Sequence, residues 1–391
     1  MIDNKLIYHW YDEPNYTRIV VKENFQRKLI RNILDKERFL YGSTKTLAKK
    51  IGVNFRTVFR WQSSESRTFY VKDLKAICDY AKLSYDFLEK KKLIESLGNS
   101  RIKSKGKMIN NPKLPFILSN ENAAELVGFV LSDGCISTGQ NNFIYAAGEK
   151  AQLERVKLLI DTICGNVEYR IERESEGFIV AVFPPTIGRM LIKSGLPFGE
   201  KTLTDCNIPK WVKKFGTKEY LRAVLTDEGH FRLRCVKTKR HKFWSIYLNV
   251  THGRSRDITT ELFKYNKKLK RLIKKSSYIS YKRLPHNFVS YLEKINPPKL
   301  LSEEKELLEN MNIKTTSIKP MRIIRTKGNR FTCYWRFSIL KQSIPDFYNI
   351  IGFTPLTKKQ KRFESQFKNF IRFRDFHLTD RDILKYNLPK N

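Results

Sequence analysis

Two stretches of this chain follow one pattern: Leu126 to Gly134 reads LVGFVLSDG, and Leu221 to Gly229 reads LRAVLTDEG. Each is an apolar run of helical character that closes on an acid followed by glycine. Position by position, Asp133 aligns with Glu228, Gly134 with Gly229 and Gly128 with Ala223. Ala124, Gly128 and Ser132 recur at steps of four, which sets three small side chains on one helix face and lets a second helix backbone come close. Two such helices, one per copy, would pack as a central pair. A glycine after each acid suits a helix C-terminus, where it takes the left-handed conformation without a Cβ penalty. Both carboxylates would then project from neighbouring helix ends into one site. Oxygen ligands of that kind suit hard divalent cations, which activate water and neutralise a scissile phosphate. The alternative for one stretch alone is an ordinary capped helix. Two copies whose acids lie 228 − 133 = 95 residues apart, with strand-like sequence after each glycine, favour a duplicated unit.

The duplicated stretch resembles the motif of the LAGLIDADG homing endonucleases, in the single-chain form with two motif copies. The resemblance implies an α+β fold in which two pseudo-symmetric αββαββα repeats form a saddle for double-stranded DNA. It implies a monomer that cuts both strands at a specific sequence by metal-dependent phosphodiester hydrolysis. Asp133 and Glu228 would hold two or more Mg²⁺ ions, with Mn²⁺ as the alternative metal. Lys201 lies in GLPFGEKTLTDCNIPKWV, Gly195 to Val212, between the motifs, where the family often places a basic residue beside the metal site. Gly195 precedes Lys201 by six residues and Gly352 precedes Lys358 by six, so Lys358 is its expected partner, although adjacent Lys359 could slip into the role. The motif departs from the family at Leu131 and Thr226, where an acid is common. It departs again at Asp227, where a small residue is usual. Either Asp227 or Glu228 could then be the second ligand, and adjacent Gly229 favours Glu228.

Residues 1–98 read as a separate all-α domain, 99–118 as a basic linker, 119–215 as the first repeat and 216–391 as the second repeat, with a helical insertion near 251–312 and a basic tail. Within the first of these, Ser43 to Gln62 (STKTLAKKIGVNFRTVFRWQ) resembles a helix-turn-helix of the phage-repressor type. Gly52 sits at the turn, Asn54 is the expected N-cap of the second helix, and Val53, Val58 and Trp61 are its apolar anchors. Asn54, Phe55, Arg56, Thr57 and Arg60 would face a major groove, where arginine reads guanine and asparagine reads adenine. The alternative is a plain helical hairpin used for packing.

In the second repeat, His230 to Val250 alternates so that Phe231, Leu233 and Cys235 share one strand face and Arg232 and Arg234 the other, with Lys237, Lys239 and Arg240 around a turn. The charged face reads as DNA-facing, the alternative being a solvated sheet face. In the first repeat, polar Gln140, Asn141 and Asn142 are the matching contacts.

The net charge of +37 exceeds what solubility needs and points to a polyanion, nucleic acid first and an anionic membrane second. Residues 1–110 carry 24 basic and 12 acidic side chains, residues 111–215 carry 12 and 12, and residues 216–391 carry 40 and 15, so the excess lies outside the first repeat. Six cysteines without CxxC or paired histidines point away from a zinc module and from a disulfide framework. No membrane-length apolar run or secretory signal is seen, so a cytoplasmic location is expected. Two other functions compete with the nuclease: a non-cleaving DNA-binding transcriptional regulator on the same scaffold, and an RNA maturase.

Overall fold

The structure, a computed structural model, describes residues 6–41, 44–63, 68–98, 108–175, 177–204, 206–237, 243–265, 278–280, 284, 286–326 and 330–389. The fold mixes helices with antiparallel sheets, and the chain divides into two compact units. One comprises residues 1–123 and 136–198, the other residues 124–135 and 199–391. Among the described residues no helix is long and apolar enough to cross a membrane.

In the first unit the elements run β1 (Ile7–Tyr8), β2 (Arg18–Val21), α1 (Glu23–Tyr41), α2 (Thr44–Ile51), α3 (Phe55–Gln62), β3 (Thr68–Tyr70), α4 (Val71–Tyr80), α5 (Asp86–Lys90), β4 (Ile94–Gly98), β5 (Met108–Asn110) and β6 (Phe116–Ile117). The all-α expectation for residues 1–98 is therefore corrected. Arg18–Val21, Thr68–Tyr70 and Ile94–Gly98 join a five-stranded sheet in the order β3-β2-β4-β5-β9, where β9 is Asn166–Val167. These strands are short, and their apolar residues fall at spacings that also suit a helix, yet Ile19 and Leu97 pair directly and are fully buried. The 99–118 segment likewise contains strands, at Met108–Asn110 and Phe116–Ile117.

Helices α2 and α3 bury Leu47, Ala48 and Ile51 on one side and Val58 and Trp61 on the other. Gly52 between them has φ +69°, and Asn54 caps α3 by accepting a 2.9 Å hydrogen bond from the Arg56 amide. Trp61 packs against Phe69 with ring centroids 4.6 Å apart and planes tilted by 31°, which fastens α3 to β3.

The remainder of this unit is a four-stranded sheet, in the order β10-β11-β8-β7, with two helices. Its elements are β7 (Gly134–Ile136), β8 (Phe143–Ala147), α7 (Lys150–Cys164), β10 (Arg170–Ser175), β11 (Phe178–Val182) and α8 (Pro185–Lys193). Alternate residues Phe143, Tyr145 and Ala147 are fully buried, the period expected of a strand with one face on a core.

The second unit takes the first motif helix, α6 (Glu121–Leu131, counted here from Ala124), together with α9 (Lys210–Phe215) and the second motif helix α10 (Thr217–Glu228). It continues through β12 (His230–Lys237), β13 (Trp244–Asp257), α11 (Thr259–Tyr265), β14 (Tyr278–Ser280), α12 (His286–Lys294), α13 (Lys299–Asn310), β15 (Lys319–Arg325), β16 (Phe331–Ser338), α14 (Ile344–Ile350), α15 (Lys358–Phe373) and α16 (Asp380–Lys385). Its sheet order, β12-β13-β16-β15-β14, follows the same succession as β7-β8-β11-β10 with one strand added. The helical insertion expected from residue 251 starts later, because β13 runs on to Asp257. Its first half pairs with β12 and its second half with β16. Phe231, Leu233 and Cys235 are buried and Arg232 is exposed, as the alternation requires.

Candidate metal and nucleic-acid sites

The site starts from the approach of α6 to α10. A Cβ placed on Gly128 would lie 2.6 Å from the Tyr220 carbonyl oxygen and 2.7 Å from the Ala223 Cβ, so the two backbones meet at the small residues. Asn120 caps α6, accepting from the Ala123 amide at 3.0 Å. At the far ends α10 closes on Glu228, whereas α6 ends at Leu131 and Asp133 follows in the turn after it.

The glycines that follow depart from expectation. Gly134 begins β7 without a left-handed φ, and Gly229 is extended at φ −69°. A side chain at Gly229 would fall 2.4 Å from the Leu225 carbonyl oxygen, so glycine is needed there for close approach to the helix end rather than for handedness.

Asp133 faces solvent, but the protein packed around it displaces outer water. That desolvation, together with the charge of Glu228, pushes its carboxyl up to about 6, against the opposing pull of Lys201, Arg254 and Lys359. The two acids therefore feel each other, and three cations surround them. Lys201 donates from Nζ to the Val130 carbonyl at 2.9 Å and also to the Ser132 carbonyl, closing the C-terminus of α6. Desolvation and neighbouring Arg254 bring its ammonium down to about 8.

At α10 the matching contact is made by Lys359, whose Nζ lies 2.5 Å from the Thr226 carbonyl and 3.4 Å from that of Asp227. The expected Lys358 is exposed on the first turn of α15, so the partner of Lys201 sits one residue later than the glycine spacing suggests. Leu356, in the turn before α15, has φ +69°. Asp227 is half-buried rather than sealed in the helix seam.

Arg254, on the extension of β13, joins the site without a motif in the sequence to mark it. Its guanidinium is buried, donating to the Leu131 carbonyl of α6 at 2.6 Å and approaching Glu228 at 3.4 Å. It also forks onto Glu304 of α13 at 2.6 and 3.2 Å. Glu304 further accepts from the Tyr220 hydroxyl at 2.9 Å and lies 2.7 Å from the His252 ring. Burial alone would raise the Glu304 carboxyl, yet Arg254 and His252 hold it well below the usual carboxylate range. Two sequence signals could have found this group. His252 and Arg254 continue the inward phase of Ile246, Leu248 and Val250, and Glu304 interrupts the apolar stripe Leu300, Leu301, Leu307 and Leu308. A cleft of about 1030 Å³ opens beside these groups, lined by Lys201, Glu228, Arg254, Arg256, Glu261 and Lys299 among others.

The donor set fits a divalent cation. The helix-end carbonyls are taken by Lys201, Lys359 and Arg254, so Asp133 and the Glu228 oxygen turned away from Arg254 would be the hard oxygen ligands. A different acidic cluster, His9, Asp86 and Glu89, brings ligand-type atoms within 4.8 Å of one another. Its carboxylates are engaged by neighbouring residues: Glu89 accepts from the Trp10 amide at 3.0 Å and pairs with His9 at 2.8 Å, while Asp86 accepts from the Tyr11 hydroxyl at 3.0 Å. It fastens the N-terminal segment to α5.

Of the residues expected at DNA, Asn54, Arg56 and Arg60 are exposed on or beside α3 and Thr57 is half-buried. Gln140 is exposed and accepts a 2.9 Å hydrogen bond from Asn142. Arg232 and Arg234 lie on the open face of the second sheet, whereas Lys237 is engaged with Asp380 at 3.0 Å and rests over the Trp244 ring. Lys239 and Arg240 lie outside the described residues. The open face also carries Asn249 opposite Arg232, Tyr247 opposite Arg234, and Arg336 and Tyr334 on β16, with the Arg322 guanidinium 4.7 Å above the Tyr334 ring. The phase of FTCYWRFS, with Tyr334 and Arg336 between buried Cys333, Trp335 and Phe337, marked these two in the sequence.

No protein-family profile matches the chain. A curated relative, the replication factor C small subunit of Methanocaldococcus jannaschii, is 25% identical over 201 residues, which cover 44% of this chain. The chain spans 11% of that protein's length. Solved structures similar to this chain include LAGLIDADG domains. The N-terminal LAGLIDADG domain of DUF199/WhiA is 13% identical and aligns over 64% of this chain and 89% of that one, with a TM-score of 0.29. Meganuclease I-SmaMI, solved bound to uncleavable DNA, is 10% identical and aligns over 67% of this chain and 95% of that one, with a TM-score of 0.35.

Proposed function

We propose that this chain is a sequence-specific double-strand DNA endonuclease that uses Mg²⁺ and acts as a monomer, one chain supplying both acids. The observation that carries the reading is the placement of Asp133 and Glu228 at the C-terminal ends of two helices in backbone contact, with Lys201, Lys359 and Arg254 bound to those ends. A divalent cation held by the two carboxylates would polarise water and offset phosphate charge. The chain's own part is positioning and electrostatics. Lys201 and Lys359 fix the helix ends that carry the acids, and with Arg254 they favour negative charge on a phosphate brought to the same place. The open face with Arg232, Arg234, Arg336 and Asn249 would lie along a groove, and Gln140 and Asn142 would contact the other half of the target. Residues of the α2–α3 pair, Asn54, Arg56, Thr57 and Arg60, would add contacts beyond the cut.

The test is to incubate the protein with a randomised duplex pool, with Mg²⁺ or with a chelator, and to sequence new ends. Ends that appear with Mg²⁺ and vanish in the Asp133→Asn and Glu228→Gln proteins, while both variants still retain duplex, support the nuclease. Retained but intact duplex in the Mg²⁺ sample would make the protein a DNA-binding regulator instead.

A further inference from the structure

Helix α3 buries Val58 and Trp61 and turns a different pair outward. Phe55 is 40% exposed and Phe59 is 53% exposed, with ring centroids 6.4 Å apart. Four residues apart on one helix, they share a face. Open phenylalanine surface costs free energy in water unless something covers it.

The surroundings limit what that cover can be. From Thr44 to Gln62 the chain has no acid and five cations, Lys45, Lys49, Lys50, Arg56 and Arg60. Arg56 and Arg60 are exposed on α3 itself, interleaved with the two rings. A partner must therefore be polyanionic and also present small apolar groups at the spacing of a helix face. In the duplex major groove the C5 methyl of thymine is the apolar group on the base edges, and phenylalanine is among the side chains that meet it.

We propose that Phe55 and Phe59 read thymine methyl groups in the major groove, with Arg56 and Arg60 alongside on phosphates. The part of the target outside the cut is then selected for thymine. This rests on the reading above that the α2–α3 pair docks on DNA.

The test uses the full chain in chelator, so that binding is measured without cleavage. Duplexes recovered from a randomised pool are resynthesised with thymidine or with deoxyuridine, which pairs identically but lacks the methyl. The native protein should bind the deoxyuridine form about four-fold more weakly for each methyl contacted. The Phe55→Ala, Phe59→Ala protein should bind both forms with nearly equal affinity. Since both side chains are exposed, its melting curve should match the native one. Arg56→Ala and Arg60→Ala should keep the thymidine preference and lower the slope of log affinity against log salt by about one each. A thymidine preference undiminished in the phenylalanine variant, or absent from the native protein, overturns the inference. Arginine variants with native affinity and salt slope would show instead that the helix pair does not dock on DNA, which removes the reading beneath it.

Discussion

Gly128 on α6 and Ala223 on α10 are so close that a methyl group at position 128 would lie 2.7 Å from the Ala223 Cβ. The second neighbour is the Tyr220 carbonyl oxygen, which cannot swing aside as a side-chain end could. Gly128→Ala should therefore force the helices apart at a cost on the order of 1–3 kcal/mol. Gly139→Ala meets nothing within 4 Å and serves as the control. Urea denaturation of the two variants should separate them clearly, and equal midpoints would mean that the seam tolerates a methyl.

Glu304 is fully buried and balances Arg254 and His252. Removing its charge leaves a buried guanidinium without its main counter-ion, so Glu304→Gln should cost about 3–5 kcal/mol. Replacing both members, Glu304→Leu with Arg254→Met, should cost less than the sum of the single changes, because no orphaned charge remains. A double-mutant cycle from chemical denaturation reads the difference, and additive losses would show that the pair does not couple.

The raised Asp133 carboxyl carries a stability sign. The folded chain binds this proton more tightly than the unfolded one, so stability falls as pH climbs from 3.8 to about 6 and stays lower above that. Asp133→Asn removes the effect. Because the side chain faces water, screening reduces the gain to roughly 1 kcal/mol. In chelator the variant should melt above the native protein at pH 8, and the gap should close as pH falls below the ordinary carboxylate range. A gap independent of pH would assign the stabilisation to something other than this proton.

Lys359 and Lys358 are neighbours with different placements, one at the end of α10 and one on the exposed first turn of α15. If the site cuts DNA, Lys359→Met should lower kcat by about 10²–10³, the range for losing one preorganised donor. Lys358→Met should leave it unchanged. Single-turnover cleavage measures both, and the reverse pattern would restore the glycine-to-lysine spacing as the correct guide.

The parts legible from sequence were those with a strong local period. Small residues at steps of four marked the α6–α10 approach, and alternation assigned Phe231, Leu233 and Cys235 to the buried face. The strands Thr68–Tyr70 and Ile94–Gly98 were not legible, since segments of three to five residues cannot distinguish a strand from part of a helical turn. Arg254 escaped for another reason. Its partner Glu304 is 50 residues away, on a helix separated from β13 by α11, β14 and α12, and pattern reading has no means of matching charges over such a span. The one-residue offset at Lys359 belongs to the same class of miss, because a turn's length follows from its backbone conformation rather than from counting.

The placement of Glu304 on α13 makes the second half of the protein hard to trim. Among the described residues the first half has only α7 and the short β9 between β8 and β10, where the second half has α11, β14, α12 and α13 between β13 and β15, so much of that longer segment looks like removable bulk. Excising it would leave the Arg254 charge beside the C-terminus of α6 with its main counter-ion gone. A shortened descendant, or a designed minimal version, would have to exchange Arg254 for an uncharged side chain in the same step, and intermediates that change only one of the two would fold poorly.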